Sequence, residues 1–310
     1  MNTTTTPTNG TRPHAPTGII AIKDEELDKR SCGRITMWSN NGMVTVEALD
    51  KALNDVGLTK ATRPDAPSAL VCLHRAVDAV AKVLGKLETH HKGRGEWAIV
   101  SKAVEKVDPA TGKKELAYPI SCTAKIEIDG ENETLTVDGQ GADQIREAYA
   151  AARGVLAPPD IGNWLCDRVT GLGGVSLRDR GGVYFVPQPV AHVWDKVVRA
   201  LAACSKHRVH TIPAMRSADA VQAIIAAVTE DTRAACTKIA DEIADPKMGT
   251  RALKNREKQT ATLLARLDQY ETLLGTKLDE LRAAIDETRS AVAVAALAAS
   301  NEDTDTASAS

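Results

Sequence analysis

Rings are scarce in this chain: aromatic residues make up 3% of its 310 positions, and Phe185 is its single phenylalanine. The core must therefore be built mainly from aliphatic residues and alanine. Net charge is scarce too. A formal charge of −2 excludes a polycationic protein that coats nucleic acid, although a local basic face is compatible with it. The six cysteines, Cys32, Cys72, Cys122, Cys166, Cys204 and Cys236, contain no CxxC pair. That spacing argues against a disulfide framework and fits buried thiols in a reducing cytoplasm. The longest apolar stretch, "SAVAVAALAAS", is too short and alanine-rich for a bilayer, which needs about 20 strongly apolar residues. The first residues show no basic region followed by an apolar one, so no secretory leader is expected.

Several chemistries are missing by motif. No GxSxG elbow occurs, and no cysteine lies in a catalytic signature. The glycine-rich run "TGLGGVSLRDRGG" is not followed by Lys-Ser/Thr at Walker spacing. It sits between an expected helix and an expected strand, so a helix end and a tight turn explain it better than a phosphate cradle. The paired carboxylates Asp241-Glu242 and Asp279-Glu280 fall on helices whose other face is apolar, as solvated charges do.

What is present reads as an α+β chain between two polar tails, residues 1–17 and 299–310. The region 18–138 begins with the apolar runs "GIIAI" and "RITMWS". Thr45 is placed to cap a helix carrying Val46, Leu49, Leu53 and Val56 on one face, which Gly57 closes. A second amphipathic helix carries Leu70, Leu73, Val77, Val80, Val83 and Leu84. The pattern then turns β-rich over about 94–138, with "DPATG" and "DGEN" as turns, which predicts a three-stranded antiparallel meander. The central unit, 139–214, alternates helices with strands in an order reminiscent of a winged helix. Residues 215–298 carry the seams Val221–Ile225–Val228–Thr232–Ala235–Ile239–Glu242 and Thr260–Leu263–Leu267–Tyr270–Leu274–Leu278–Leu281–Ile285. These predict a long antiparallel coiled-coil-like helical hairpin, with one irregular step at Leu274–Leu278–Leu281.

Within "RDRGGVYFVP", Val183 and Phe185 share one face, and Tyr184 and Val186 the other. Apolar residues on both faces predict a strand buried on both sides. The turn before it is basic. From Asp160 to Ile212, seven basic residues (Arg168, Arg178, Arg180, Lys196, Arg199, Lys206, Arg208) stand against four acidic ones, a local charge of +3. Of these, Arg178, Arg180, Lys196, Arg199, Lys206 and Arg208 are the candidates for contacts to phosphates. In "CSKHRVH", Cys204, His207 and His210 are zinc-ligating types at three-residue intervals, but a closed site needs a fourth ligand from elsewhere, such as His192 or the His90-His91 pair. On the helices, Leu263, Leu264, Leu267, Tyr270, Leu273, Leu274 and Leu281 are the candidates for self-association or for a partner helix.

The segment "GGVYFVP" and the later "LARLDQYETLLG" resemble uncharacterised proteins of bacteriophages and mobile elements over residues 140–285. The resemblance implies a setting, with no activity to carry over. The leading expectation is a cytoplasmic, non-enzymatic interaction protein of such an element, without a cofactor. It would associate through its helices and contact nucleic acid through the central unit. Two alternatives stay open: a metal-dependent enzyme or zinc-binding factor using His90, His91, Cys204, His207 and His210, and a purely structural oligomer.

Overall fold

In the computed structural model of the chain, the described residues are 30–39, 41–58, 63–84, 88–93, 95–100, 104–107, 114–117, 120–130, 132–178, 181–245 and 248–308. For 104–107, 114–117 and 300–308, only the backbone is described. The fold is α+β, with antiparallel sheets and a helical C-terminal region.

The first sheet draws its strands from distant parts of the chain. Strand β1 (Ser31–Ser39) lies inside it, flanked by β11 (Val183–Pro187) and by β12 (Arg208–Met215) at one edge. The short β10 (Val175–Ser176) forms the other edge, giving the order β10-β11-β1-β12 with every pairing antiparallel. Helices cover both faces. On one side, α1 (Val46–Asp55), α4 (Pro158–Gly171) and α5 (Gln188–Cys204) bury Leu49, Leu53, Leu165, Trp194 and Leu201 with Val186. On the other, Phe185, Val175 and Cys32 meet the C-terminal helices through Ile224, Leu267, Tyr270 and Ile285.

Local chemistry sets the helix starts, at Thr45 as the sequence predicts. Thr45 Oγ1 accepts the Ala48 N–H at 3.2 Å at the start of α1, satisfying one of the donors left open by the first turn. At α4, Pro158 and Pro159 occupy positions whose N–H groups have no helical partner, and Asp160 accepts the Ala157 N–H at 2.8 Å.

The expected meander is larger than three strands. A second sheet has the order β3 (Glu88–Gly93), β4 (Glu96–Val100), β7 (Ile120–Asp129), β8 (Asn132–Gly139). A separate hairpin, β5 (Val104–Val107) with β6 (Lys114–Ala117), stands between β4 and β7 in sequence. Helices α2 (Ala69–Leu84) and α3 (Ala142–Ala152) pack on this sheet around Leu73, Val77, Ile99, Ile126 and Ile145. The unit is thus an insertion between β1 and β11. The two-residue ladder of β2 (Val44–Thr45) and β9 (Val155–Leu156) closes it at its base, with Arg75 and Asp160 paired at 2.7 Å nearby. The expected boundary at 138 therefore falls inside a packed unit: α3 belongs with the second sheet, and β1 with the central sheet.

The C-terminal region also differs from expectation. It is three helices, α6 (Ala218–Ile243), α7 (Thr250–Leu274) and α8 (Asp279–Ser308), rather than a two-helix hairpin. Gly275 takes a φ of +69° and ends α7, a left-handed conformation open to glycine at little cost. The irregular step Leu274–Leu278–Leu281 is this break. Helix α8 packs against both α6 and α7. Among the described residues, no helix is long and apolar enough to cross a membrane.

Candidate nucleic-acid interface

The rings around the Gly-Gly turn are structural. Tyr184 stacks on Trp38 with centroids 4.9 Å apart and planes at 4°, and Trp38 meets Trp194 at 6.1 Å. Trp194 Nε1 donates to Thr36 Oγ1 at 3.2 Å, inside the first core. Burial and the Cys166 thiol, 3.0 Å from its hydroxyl, push Tyr184 up to about 12. Phe185 and Val186 are both fully buried, on opposite faces. The strand is two-sided core, as its pattern predicts, and β11 is an interior strand rather than the free wing of a winged helix.

The glycine-rich run is structural as well. A Cβ on Gly174 would lie 2.6 Å from the Phe185 carbonyl oxygen and 2.5 Å from Val169 Cγ1. Only glycine lets α4 and β11 approach so closely. The Gly173 carbonyl accepts the Tyr270 hydroxyl at 2.8 Å.

Several predicted cations converge at one end of the first sheet. Leu177 N–H donates to the Val183 carbonyl at 2.8 Å, so the turn bearing Arg178 stands directly beyond the start of β11. Val183 pairs with Met37, and Met37 pairs with His210. Arg208 pairs with Ser39 at the same end, and Lys206 lies in the connection from α5 to β12. Arg178, Lys206 and Arg208 are exposed. None of the three takes part in a salt bridge among the described residues. The stretch from Lys196 to Ala218 contains Lys196, Arg199, Lys206, Arg208 and Arg216 and no acidic residue.

The rest of the basic set divides. Lys196 and Arg199 lie on α5, over the opposite face of the sheet, where Arg199 Nε donates to the Asp195 carbonyl at 3.4 Å. Arg180 lies outside the described residues.

The candidate metal ligands do not converge. His207 is buried, 4% exposed, with no hydrogen-bond partner on either ring nitrogen, and burial lowers its pKa. Cys204 packs against the first core and donates to the Leu201 carbonyl at 3.6 Å, its thiol pushed up by burial. His210 instead shares the sheet face of Met37, opposite to Val209, which packs on that core. His192 is exposed on α5. His90 and His91 belong to β3 of the other sheet, His90 3.5 Å from Glu88 and His91 against Trp97. Among the described residues, no three His, Cys, Asp or Glu side chains form a group that could hold a metal.

The candidate assembly residues are taken up within the chain. Leu267, Tyr270, Leu274 and Leu281 are buried in the second core, and Leu263, Leu264 and Leu273 pack against it. The seam meets the chain's own sheet.

Sequence reasoning missed the sheet face beside the cations. In "RVHTIPAM", Arg208, His210 and Ile212 alternate onto one side, and the acid-free run from 196 to 218 surrounds them. Both signals were readable. No curated protein and no solved structure matches the chain. A family model does match residues 32–303, spanning both sheets and the helical region, and the chain belongs to that family, a family of unknown function designated DUF6744.

Proposed function

We propose that this chain is a non-enzymatic interaction protein that contacts nucleic acid through the end of its first sheet. The observation that carries this reading is the grouping of Arg178, Lys206 and Arg208 at that sheet end, exposed and free of salt bridges among the described residues, with Lys206 and Arg208 inside the acid-free stretch. Strands of a sheet lie about 4.8 Å apart and β1 stands between β11 and β12, so the cations of β12 and of the β10–β11 turn are about 10 Å or more apart, within reach of one nucleic-acid backbone. Such contacts position a nucleic acid without reading its sequence.

The test is fluorescence anisotropy with a labelled oligonucleotide at 50 to 200 mM salt. Three phosphate contacts give a slope of log K against log salt of about −2, at roughly 0.7 per contact for single strands. The triple variant Arg178→Ala, Lys206→Ala, Arg208→Ala should abolish most of that slope. Salt-insensitive binding, or none at 50 mM, would overturn the proposal.

A further inference from the structure

The helices that cover the second face of the first sheet stop partway along β12. Ala214 is 2% exposed beneath them, whereas Ile212, two residues earlier on the same side, is 52% exposed. His210 and Arg208, still further along that side, are exposed as well. Register extends this uncovered patch across the sheet: His210 pairs with Met37, which pairs with Val183, while Ile35, opposite Ile212, marks its border by packing against the second core. Met37, Val183 and Ile35 are partly exposed. The result is a platform of one imidazole and several apolar side chains, bordered at the sheet end by Arg208 and Arg178.

We infer that this bare half-face is a base-binding platform, and that the nucleic acid it takes is single-stranded. The inference rests on the proposal that the sheet end contacts nucleic acid. A helix or a two-stranded ribbon fits the major groove of a duplex, whereas a broader sheet face engages a duplex only at the cost of widening a groove and bending it. Unpaired bases, in contrast, present flat apolar faces that stack on rings and apolar side chains while the backbone follows neighbouring cations. His210 supplies the ring, Met37 and Ile212 the apolar floor, and Arg208 with Arg178 the phosphate contacts. The charge and the bare apolar surface are adjacent, which a purely electrostatic site does not require.

The deciding experiment compares a labelled single-stranded 20-mer with the same sequence as a duplex, at equal salt. The wild-type chain and His210→Ala with Ile212→Ala are measured side by side. Both substituted residues are exposed, and circular dichroism confirms that the fold is retained. The expected result is preference for the single strand. The double variant should lose about five-fold or more of that affinity, the scale of one stacking contact, with the salt slope unchanged. Equal, salt-dependent binding of both forms, or single-strand affinity unaffected by the double variant, would overturn the platform and leave the cationic contact standing. Absence of binding to either form would remove both.

Discussion

Phe185 and Tyr270 meet with ring centroids 6.2 Å apart and planes inclined at 44°, joining the first sheet to α7. Arg266 lies 5.9 Å from the centre of the Tyr270 ring, and the Tyr270 hydroxyl reaches the Gly173 carbonyl. In a chain with so few rings, this pair anchors the helical unit. Tyr270→Phe should cost about 1 kcal/mol, the value of one net hydrogen bond. Phe185→Ala should cost about 3–5 kcal/mol, because the cavity opens in a packed core. Urea denaturation followed by circular dichroism measures both; equal costs would contradict the assigned roles.

Two glycines hold close approaches. A Cβ on Gly33 would lie 2.2 Å from the Val186 carbonyl oxygen, and one on Gly174 2.6 Å from that of Phe185. Neither neighbour is a flexible side-chain end, so the backbone itself must move. Gly33→Ala and Gly174→Ala are each expected to lower the melting temperature clearly, whereas Gly182→Ala, with open space around it, should not. Calorimetry on the three variants checks the contrast.

His207 makes stability depend on mild acid. Burial lowers its pKa below the ordinary 6.5, so the unfolded chain binds a proton before the folded one does. Stability contributed by the neutral ring is therefore complete above about pH 6.5 and declines as the pH falls below it, levelling off beneath the folded value. Melting temperatures from pH 8 to 5 should show this decline, and His207→Leu should reduce it. An unchanged slope in the variant would show that other groups cause it.

A second, more acidic dependence belongs to Glu271. The Leu278 N–H, at 2.9 Å, and then Lys277 and Arg282 hold this carboxylate down to about 2. It thereby fixes the turn between α7 and α8. Its contribution is complete above the ordinary value of 4.5 and is lost as the pH falls through about 2. Glu271→Gln should lower stability at neutral pH and flatten the unfolding profile between pH 4.5 and 2, which acid titration followed by circular dichroism would reveal.

Local features were legible from the sequence, and long-range ones were not. Thr45 as a cap, the prolines opening α4 and the two-sided burial of Phe185 and Val186 all follow from residues within a turn or a strand of one another. The break at Gly275 left its trace in the irregular step from Leu274 to Leu278. Pairing of β1 with β11 and β12 had no such trace, because residue type does not encode a partner so far along the chain. For the same reason, the leucines of α7 read as a seam for another molecule, although the surface they cover is the chain's own sheet. The cations of the candidate site could be named from the sequence. Only strand register separates Arg178 and Arg208, at one sheet end, from Lys196 and Arg199, on α5 over the other face.

The placement of β1 has a consequence for the order of events during synthesis. Thr36 meets its partner Trp194 across 158 positions, which takes roughly 8 to 30 s to make at about 5–20 residues per second. Meanwhile the inserted unit, whose core lies wholly between Ala69 and Tyr149, has everything it needs to close. The nascent chain thus carries one finished unit beside a strand still waiting for both neighbours. Until those neighbours emerge, Ile35 and Trp38 must stay clear of other unfinished chains.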